Sequence, residues 1–407
     1  MVGQDTGRCQ NGSVPDLDTL FAALSREPDV DAPELLAHDA TDRLLLETAG
    51  SEAGPAASGT IVVIGDRHGA LTLGAASRLG ARDIRVHQDP ILGERALAAN
   101  AERIGSSGIY RNHDLGEKLL AGAELVLVQL PRSLAELDEI AQTIARWAAP
   151  GVTVLAGGRV KHMTHGMNEV LERSFARVSA GLAVRKSRIL TARSPRSATE
   201  LGEPRFPIWG DDPDLPFRIA AHGATFGGAA LDHGSRLLLR TIGAPPSPAP
   251  RIVDRSADAR AGDHSGIVDL GCGNGVLATA AALAAPQARV TATDQSRAAV
   301  AAARLTADAA GVGERVSVHR ADATEAVPDG WADLILLNPP FHTGSTVHPG
   351  VAHRLIRASA GALQTGGELR LVFNSHLRYR TLVEREIGPS RELARDRRFT
   401  VLSAIRR

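Results

Sequence analysis

The chain has 407 residues, 43% of them apolar, with 46 basic and 46 acidic side chains and a formal charge of zero. This length predicts two domains, the apolar fraction excludes a disordered chain, and the neutral balance announces no nucleic-acid partner. No apolar run reaches a membrane span, the first residues lack a signal-peptide pattern, and Cys9 and Cys272 make neither a disulfide framework nor a zinc pattern. A cytoplasmic protein with no membrane or metal partner is expected.

Residues 15–50 carry helical patterns, closed by a Gly/Ala/Pro/Ser stretch at 50–59. "TIVVI" (60–64) then reads as a buried strand, Gly65–Gly69 as a turn and Ala70–Leu79 as a helix. Strands follow at 83–89, 124–130 and 151–158, with helices between them reaching Ile104 and spanning Leu134–Ala148. This alternation predicts βαβ units and a parallel sheet. The order then recurs. Strands are expected at 266–270, 289–294, 315–322, 332–338, 367–374 and 399–407, and helices at 276–285 and 297–310.

The halves align. A shift of 206 places IVVIGDRHGAL (61–71) on IVDLGCGNGVL (267–277), and a shift of 209 places LVLVQLPRS (125–133) on LILLNPPFH (334–342). We read an internal duplication of one α/β domain: residues 1–195 and 216–407, joined by a Pro/Arg/Ser-rich linker at 196–215. "GAPPSPAP" (243–250) reads as a further loop. From His376 to Arg407 nine arginines face four acids, read either as a solvated helix with a ragged end or as a phosphate-facing patch.

"DLGCGNG" (269–275) follows a strand and opens a helix. Its glycines Gly271, Gly273 and Gly275 permit positive φ and close approach of a ligand to the backbone. The spacing is not that of dinucleotide folds. Asp269 beside the loop suits a cation, such as the ammonium and sulfonium of S-adenosylmethionine, and would repel a pyrophosphate. Asp294, about twenty residues on, is placed for a ribose diol, or else for a helix N-cap. Asp322 and the Ala323 amide are placed to face an adenine ring, or else lie on a surface loop.

VDLGCGNG, Asp294, Asp322 and NPPFH, in this order, resemble the class I S-adenosylmethionine-dependent methyltransferases. The resemblance implies two tandem Rossmann-like domains, each a seven-stranded, mostly parallel sheet with an antiparallel last strand. S-adenosyl-L-methionine is the implied cofactor, bound at the strand ends by Asp269, Gly271, Gly273, Gly275, Asp294, Asp322, Ala323 and Asn338.

"LLNPPFH" (336–342) ends a strand in Asn338, with Pro339 and Pro340 making a stiff exit. The Asn338 amide and the Pro339 carbonyl become fixed acceptors for an exocyclic amine. Accepting its hydrogens aims the nitrogen lone pair at the sulfonium methyl. Phe341 supplies a stacking ring for a planar base. The catalytic expectation is therefore Asn338, Pro339, Pro340 and Phe341, with Phe341 and His342 as substrate contacts. The alternatives are a plain turn with Phe341 in the core, and a loop histidine packed on a lid.

NPPFH together with "HGATFGGAALDHGSRLLL" (222–239) resembles the ribosomal RNA guanine-N2 methyltransferases of the RsmC/RlmG type, which also carry a degenerate first copy. Phe226, Asp232 and Gly234 match the segment that helps close the cofactor pocket in that family; the alternative for Asp232 is a helix cap. In the first half, Val63 replaces Asp269, Arg67 replaces Gly273, Gln129 replaces Asn338, Leu130 the first proline and Arg132 the aromatic. We therefore expect that residues 1–195 bind no cofactor and serve as scaffold, as cover, or as an RNA grip through Arg67, Arg132 and Arg159.

The expected function is methyl transfer to a guanine N2 of ribosomal RNA, 16S or 23S, met free or in a ribosomal subunit, with the base flipped out of its stack. The alternatives are an adenine-N6 or protein glutamine-N5 methyltransferase, and, in another class, a cofactor-binding RNA chaperone or ribosome assembly factor.

Overall fold

The computed structural model describes residues 16–29, 35–53, 59–242, 266–340 and 349–407. Within the first half lie strands β1 (Thr60–Ile64), β2 (Ile84–His87), β3 (Tyr110–Asn112), β4 (Ala123–Gln129), β5 (Thr153–Arg159), β6 (Phe175–Ala180) and β7 (Ser187–Pro195). A short pair follows, β8 (Ile208–Gly210) and β9 (Ile219–Ala221). Then come β10 (Gly266–Leu270), β11 (Arg289–Asp294), β12 (Val316–Arg320), β13 (Ala332–Leu337), β14 (Leu363–Asn374), β15 (Ser390–Arg395) and β16 (Phe399–Ile405).

These form two seven-stranded sheets of identical order, β3-β2-β1-β4-β5-β7-β6 and β12-β11-β10-β13-β14-β16-β15. In each, six strands point the same way, and the last strand in sequence inserts antiparallel to them, one place in from the edge. The registers repeat too. Val62 faces Arg85 and Val268 faces Thr291, each residue 206 positions from its counterpart.

Both faces of each sheet are buried, so the central strands are continuously apolar rather than alternating. Ile61, Val63, Leu125 and Leu127 enter one core, while Val62, Ile64, Val126 and Val128 enter the opposite one. The second sheet divides likewise, with Ile267, Leu334 and Leu336 on one side and Val268, Leu270, Ile335 and Leu337 on the other.

Strands β3, β6, β7 and β15 escape the periodicity reading. β6 and β15 are edges: β6 is mostly exposed with a single charge, Arg177, while β15 carries Arg391, Glu392 and Arg395, a composition that protects an unpaired edge but hides a strand. The reading of 376–407 as a solvated helix is overturned. Only Arg380–Glu386 is helical beyond a single 3₁₀ turn, and the rest is a hairpin of β15 on β16, with β16 buried in the sheet.

The stretch 196–215 is anchored. Ser197 and Glu200 form a reciprocal capping box on the turn Ala198–Leu201, and the Arg205 guanidinium donates to Asp138 at 2.6 Å. β8 then pairs with β9, whose Ala220 amide donates to Thr306 Oγ1 in the second half at 3.0 Å. Residues 243–250 lie outside the described residues.

The two sheets meet through the segments that follow β2 and β11. The Arg297 amide donates to the Asp89 carbonyl at 3.1 Å and the Ile91 amide to the Gln295 carbonyl at 2.9 Å, with Pro90 bridging Ser296. Pro90 meets its own counterpart, and Asp89 and Ile91 each meet the counterpart of the other, which is the pattern of a twofold contact. Side chains add asymmetric ties. Glu94 accepts from Arg297 at 2.7 Å and pairs with Arg320 at 3.0 Å, and Arg95 donates to Glu325 at 2.6 Å.

Candidate active site

The predicted site residues gather at the carboxyl ends of β10, β11, β12 and β13. Asp269 is fully buried inside β10. Its Oδ2 accepts from the Ala278 amide at 2.9 Å, in the first turn of the helix Val276–Ala284, and its Oδ1 is buried with no partner among the described residues. Burial, reinforced by Asp294, pushes its pKa up to about 7.

The three loop glycines divide by task. A Cβ on Gly271 (φ 76°) or Gly273 (φ 53°) would meet nothing within 4 Å, so both border open space. A Cβ on Gly275 (φ 78°) would lie 2.6 Å from the Ala303 Cα. Gly275 therefore lets two helices touch rather than a ligand approach.

Asp294 binds twice to backbone. Oδ2 accepts from Gly273 at 3.0 Å and Oδ1 from Ser296 at 2.9 Å. It thus holds the glycine loop in place, and the N-cap of the helix Arg297–Ala309 is Ser296, not Asp294. Asp322, just past β12, accepts from Arg354 at 2.8 Å. Burial raises its pKa while Arg354 opposes the rise. Ala323 sits at φ 49°, strained for a residue with a Cβ, and its carbonyl accepts from Thr293 Oγ1 at 3.0 Å.

Asn338 follows β13 directly. Its Nδ2 donates to Asp232 Oδ2 at 2.7 Å and to Ser235 Oγ at 3.0 Å. Both amide hydrogens are therefore committed, and Oδ1 accepts no hydrogen bond among the described residues. Asp232 caps the helix His233–Leu239, accepting from the Gly234 and Ser235 amides at 2.9 Å each. A Cβ on Gly234 would stand 3.2 Å from Asn338 Oδ1, so the missing side chain keeps that oxygen clear. Pro339 is buried and Pro340 half-buried. Phe341 and His342 lie outside the described residues.

Two contributors escaped the sequence reading. Asn274 donates to the carbonyls of Gly228 and Ala230 at 3.0 Å each, lashing the segment that carries Phe226 to the glycine loop. Phe226 itself is 69% exposed. The second is a further repeat: Asp39-Ala-Thr-Asp-Arg-Leu-Leu-Leu-Glu-Thr matches Asp232-His-Gly-Ser-Arg-Leu-Leu-Leu-Arg-Thr, so the duplication begins before the first strand.

That repeat rebuilds the constellation in the first copy. Gln129, at the place of Asn338, donates to Asp42, at the place of Ser235. Asp42 is buried, which pushes its pKa up to about 8. Gln88 stands where Asp294 does and donates to the Gly93 carbonyl at 3.1 Å. Asp66 accepts from the Thr72 amide at 2.8 Å, the counterpart of the Ala278 amide that Asp269 holds. Arg67 keeps the left-handed backbone of Gly273 at φ 60° while adding a long cation.

Arg67, Arg132 and Arg159 do come together. With Lys161 they line a cavity of about 330 Å³ over Gln129 and Asp42. Burial and these four cations hold the pKa of His162 below the usual histidine range. None of the four pairs with a carboxylate among the described residues. Four cations thus border the first copy's cavity, over the buried acids Asp42 and Asp66.

The residues present suit S-adenosylmethionine. An orphaned buried carboxylate oxygen and two further acids suit a cation, and the cradle at Gly271 and Gly273 is open. The chain matches the Methyltransferase small domain over residues 216–403 and the RLMG N-terminal domain over residues 14–196. It is 34% identical to the ribosomal RNA large subunit methyltransferase G of Streptomyces coelicolor, across 94% of this chain and 97% of that one. The chain belongs to the ribosomal RNA large subunit methyltransferase G family. A member from Pseudomonas aeruginosa is 35% identical across 96% of this chain and all of its own. Among solved structures, the Thermus thermophilus 16S rRNA N2 G1207 methyltransferase, in complex with AdoMet and guanosine, superposes with a TM-score of 0.70 at 19% identity. It covers 91% of this chain and 92% of its own, and shares the fold. The chain is thus an S-adenosylmethionine-dependent methyltransferase.

Among the described residues no helix is long and apolar enough to cross a membrane, and no group of three His, Cys, Asp or Glu side chains is placed to hold a metal ion.

Proposed function

We propose that the enzyme methylates the exocyclic N2 amine of a guanine in large-subunit ribosomal RNA. Chemistry lies in residues 216–407, and 196–215 join them to a first copy, 1–195, that takes no cofactor. The observation that carries this reading is the Asn338 carboxamide, whose hydrogens are spent on Asp232 and Ser235 and whose oxygen stays free. An acceptor suits an amine that must shed a proton as it is methylated. Asn338 Oδ1 accepts one amine hydrogen and holds the nitrogen lone pair in line with the methyl that the cofactor supplies. Kinship with the ribosomal RNA large subunit methyltransferases G favours large-subunit RNA.

Phe341 supplies the stacking ring and His342 a substrate contact. Asp294 keeps the glycine loop shaped for the cofactor and offers its carboxylate to the ribose. Asp322 and Ala323 border the adenine. In the first copy, Arg67, Arg132, Arg159 and Lys161 meet RNA phosphates and hold the substrate while a flipped base reaches Asn338.

Incubation with labelled S-adenosylmethionine and 16S or 23S RNA, naked and in subunits, followed by mass spectrometry of nucleosides, is expected to yield N2-methylguanosine from large-subunit RNA. N6-methyladenosine, or methylglutamine in a protein substrate, would replace this reading. Absence of any transfer would favour an assembly factor.

Cofactor affinity is expected to depend on pH. Asp269 has a pKa of about 7 without ligand, and a cation favours its ionised form. Binding therefore strengthens as pH rises through 7 and levels off above. Calorimetry should show Kd weakening by up to about tenfold from pH 7 to pH 6, and a flat profile would remove Asp269 from cofactor binding. The same raised pKa gives the cofactor-free fold a contribution that is full below the ordinary Asp range and is lost as pH climbs through 7.

A further inference from the structure

A second cavity, about 400 Å³, lies between the two halves. Its floor holds Gly65, His87 and Gln129 at the ends of β1, β2 and β4, the counterparts of Gly271, Thr293 and Asn338. One wall is the helix Leu134–Trp147 with Glu136 and Ile140, and the other is the helix Arg297–Ala309 of the catalytic half, through Val300. The cofactor rim of the first copy has therefore kept a hollow, now roofed by its twin.

The polar balance of this hollow is one-sided. Its arginines are engaged. Arg297 and Arg320 meet Glu94, and Arg304 donates to the Val318 carbonyl at 2.8 Å. Glu139 accepts from His222 at 2.7 Å and from the Gly223 amide at 2.6 Å. Asp89 accepts from the Ala298 amide at 2.9 Å and Asp114 from Arg297. Three further acceptors have no donor among the described residues. Glu136 has no side-chain hydrogen bond among the described residues, and burial, reinforced by Asp89, pushes its pKa up to about 7. His87 Nδ1 faces the His113 carbonyl at 3.0 Å, which places the hydrogen there and leaves Nε2 an acceptor. The Gln129 amino group is given to Asp42, which leaves its carbonyl. Ile64, Ile140 and Val300 supply apolar wall between them.

We propose that this cavity binds a small aliphatic amine, with its ammonium on Glu136 and its methylenes against Ile140 and Val300. A donor-rich cation satisfies acceptors that nothing in the protein satisfies. Occupancy also reaches the catalytic site. The roof helix begins at Ser296, whose amide is held by Asp294, and Asp294 holds Gly273. Amine and S-adenosylmethionine therefore shift each other's affinity by the same factor.

Equilibrium dialysis of the full chain, free of RNA, against labelled putrescine is the test. The expected result is one saturable site per chain, weakened at least about tenfold by Glu136→Gln and unchanged by Arg132→Ala in the other cavity. No saturable binding, or equal binding by Glu136→Gln, overturns the proposal, as does a second S-adenosylmethionine bound per chain. Saturating putrescine is expected to change S-adenosylmethionine affinity at least about fivefold, and an unchanged value overturns the coupling. These readouts need no RNA, so they stand or fall apart from the assignment of the methylated base.

Discussion

Asn338→Ala is expected to lower kcat by about 10²–10³-fold, the usual loss when one preorganised polar contact to a reacting group is removed. Cofactor Kd should stay within a few-fold, because Asp269, Asp294 and the glycine loop are untouched. Asn338→Asp should be no better. It would replace two donated hydrogens with a carboxylate facing the Asp232 carboxylate at hydrogen-bond distance. Asp232→Asn tests the positioning role of Asp232. It keeps a capping oxygen for the helix but offers Asn338 an ambiguous partner, so kcat should fall while guanine KM and folding change little. Single-turnover kinetics on ribosomal RNA separates these outcomes. A fully active Asn338→Ala enzyme would end the assignment of this amide to the chemistry.

Gly275→Ala should be the most destabilising change in the glycine loop. The residue sits at φ 78°, which costs a non-glycine residue about 1–2 kcal/mol. The new methyl would also meet the Ala303 backbone at 2.6 Å, and such overpacking adds about 1–3 kcal/mol. Urea unfolding without cofactor should show a total loss of about 2–5 kcal/mol. Gly271→Ala carries only the strain, because its Cβ points into open space. It should lose cofactor affinity at a stability cost of only about 1–2 kcal/mol. If both variants unfold alike and both lose cofactor alike, the division of labour within the loop is wrong.

Much of this arrangement was legible because both sheets are buried on two faces. "TIVVI", "LVLVQL" and "LILLN" are runs that a fully covered parallel strand produces, and turn glycines mark where each one ends. Asp269, Asp294, Asp322 and Asn338 were readable as a group because each closes or shortly follows such a strand, on one rim. What stayed hidden depends on contacts far apart in sequence. Nothing near Asn338 announces that Asp232, more than a hundred residues earlier, will take its amide hydrogens. Nothing in "CGNG" shows Asn274 reaching back to Gly228 and Ala230. Gly275 looked like its neighbours because positive φ is common to all three, and only the approach of Ala303 separates it. The edge strand β15 was missed because charge on an edge reads like charge on a solvated helix.

The contact of Asp89-Pro90-Ile91 with Gln295-Ser296-Arg297 has a historical consequence. Two halves of a fused chain have no reason to meet through equivalent residues unless their ancestor already did so as separate subunits. A symmetric dimer of one methyltransferase, later joined end to end, leaves such a seam. Residues 89–91 of the fused chain still fit residues 295–297 as a partner's would. The second half cut away alone would expose the face that its lost twin once covered. It is therefore expected to seek another copy of itself.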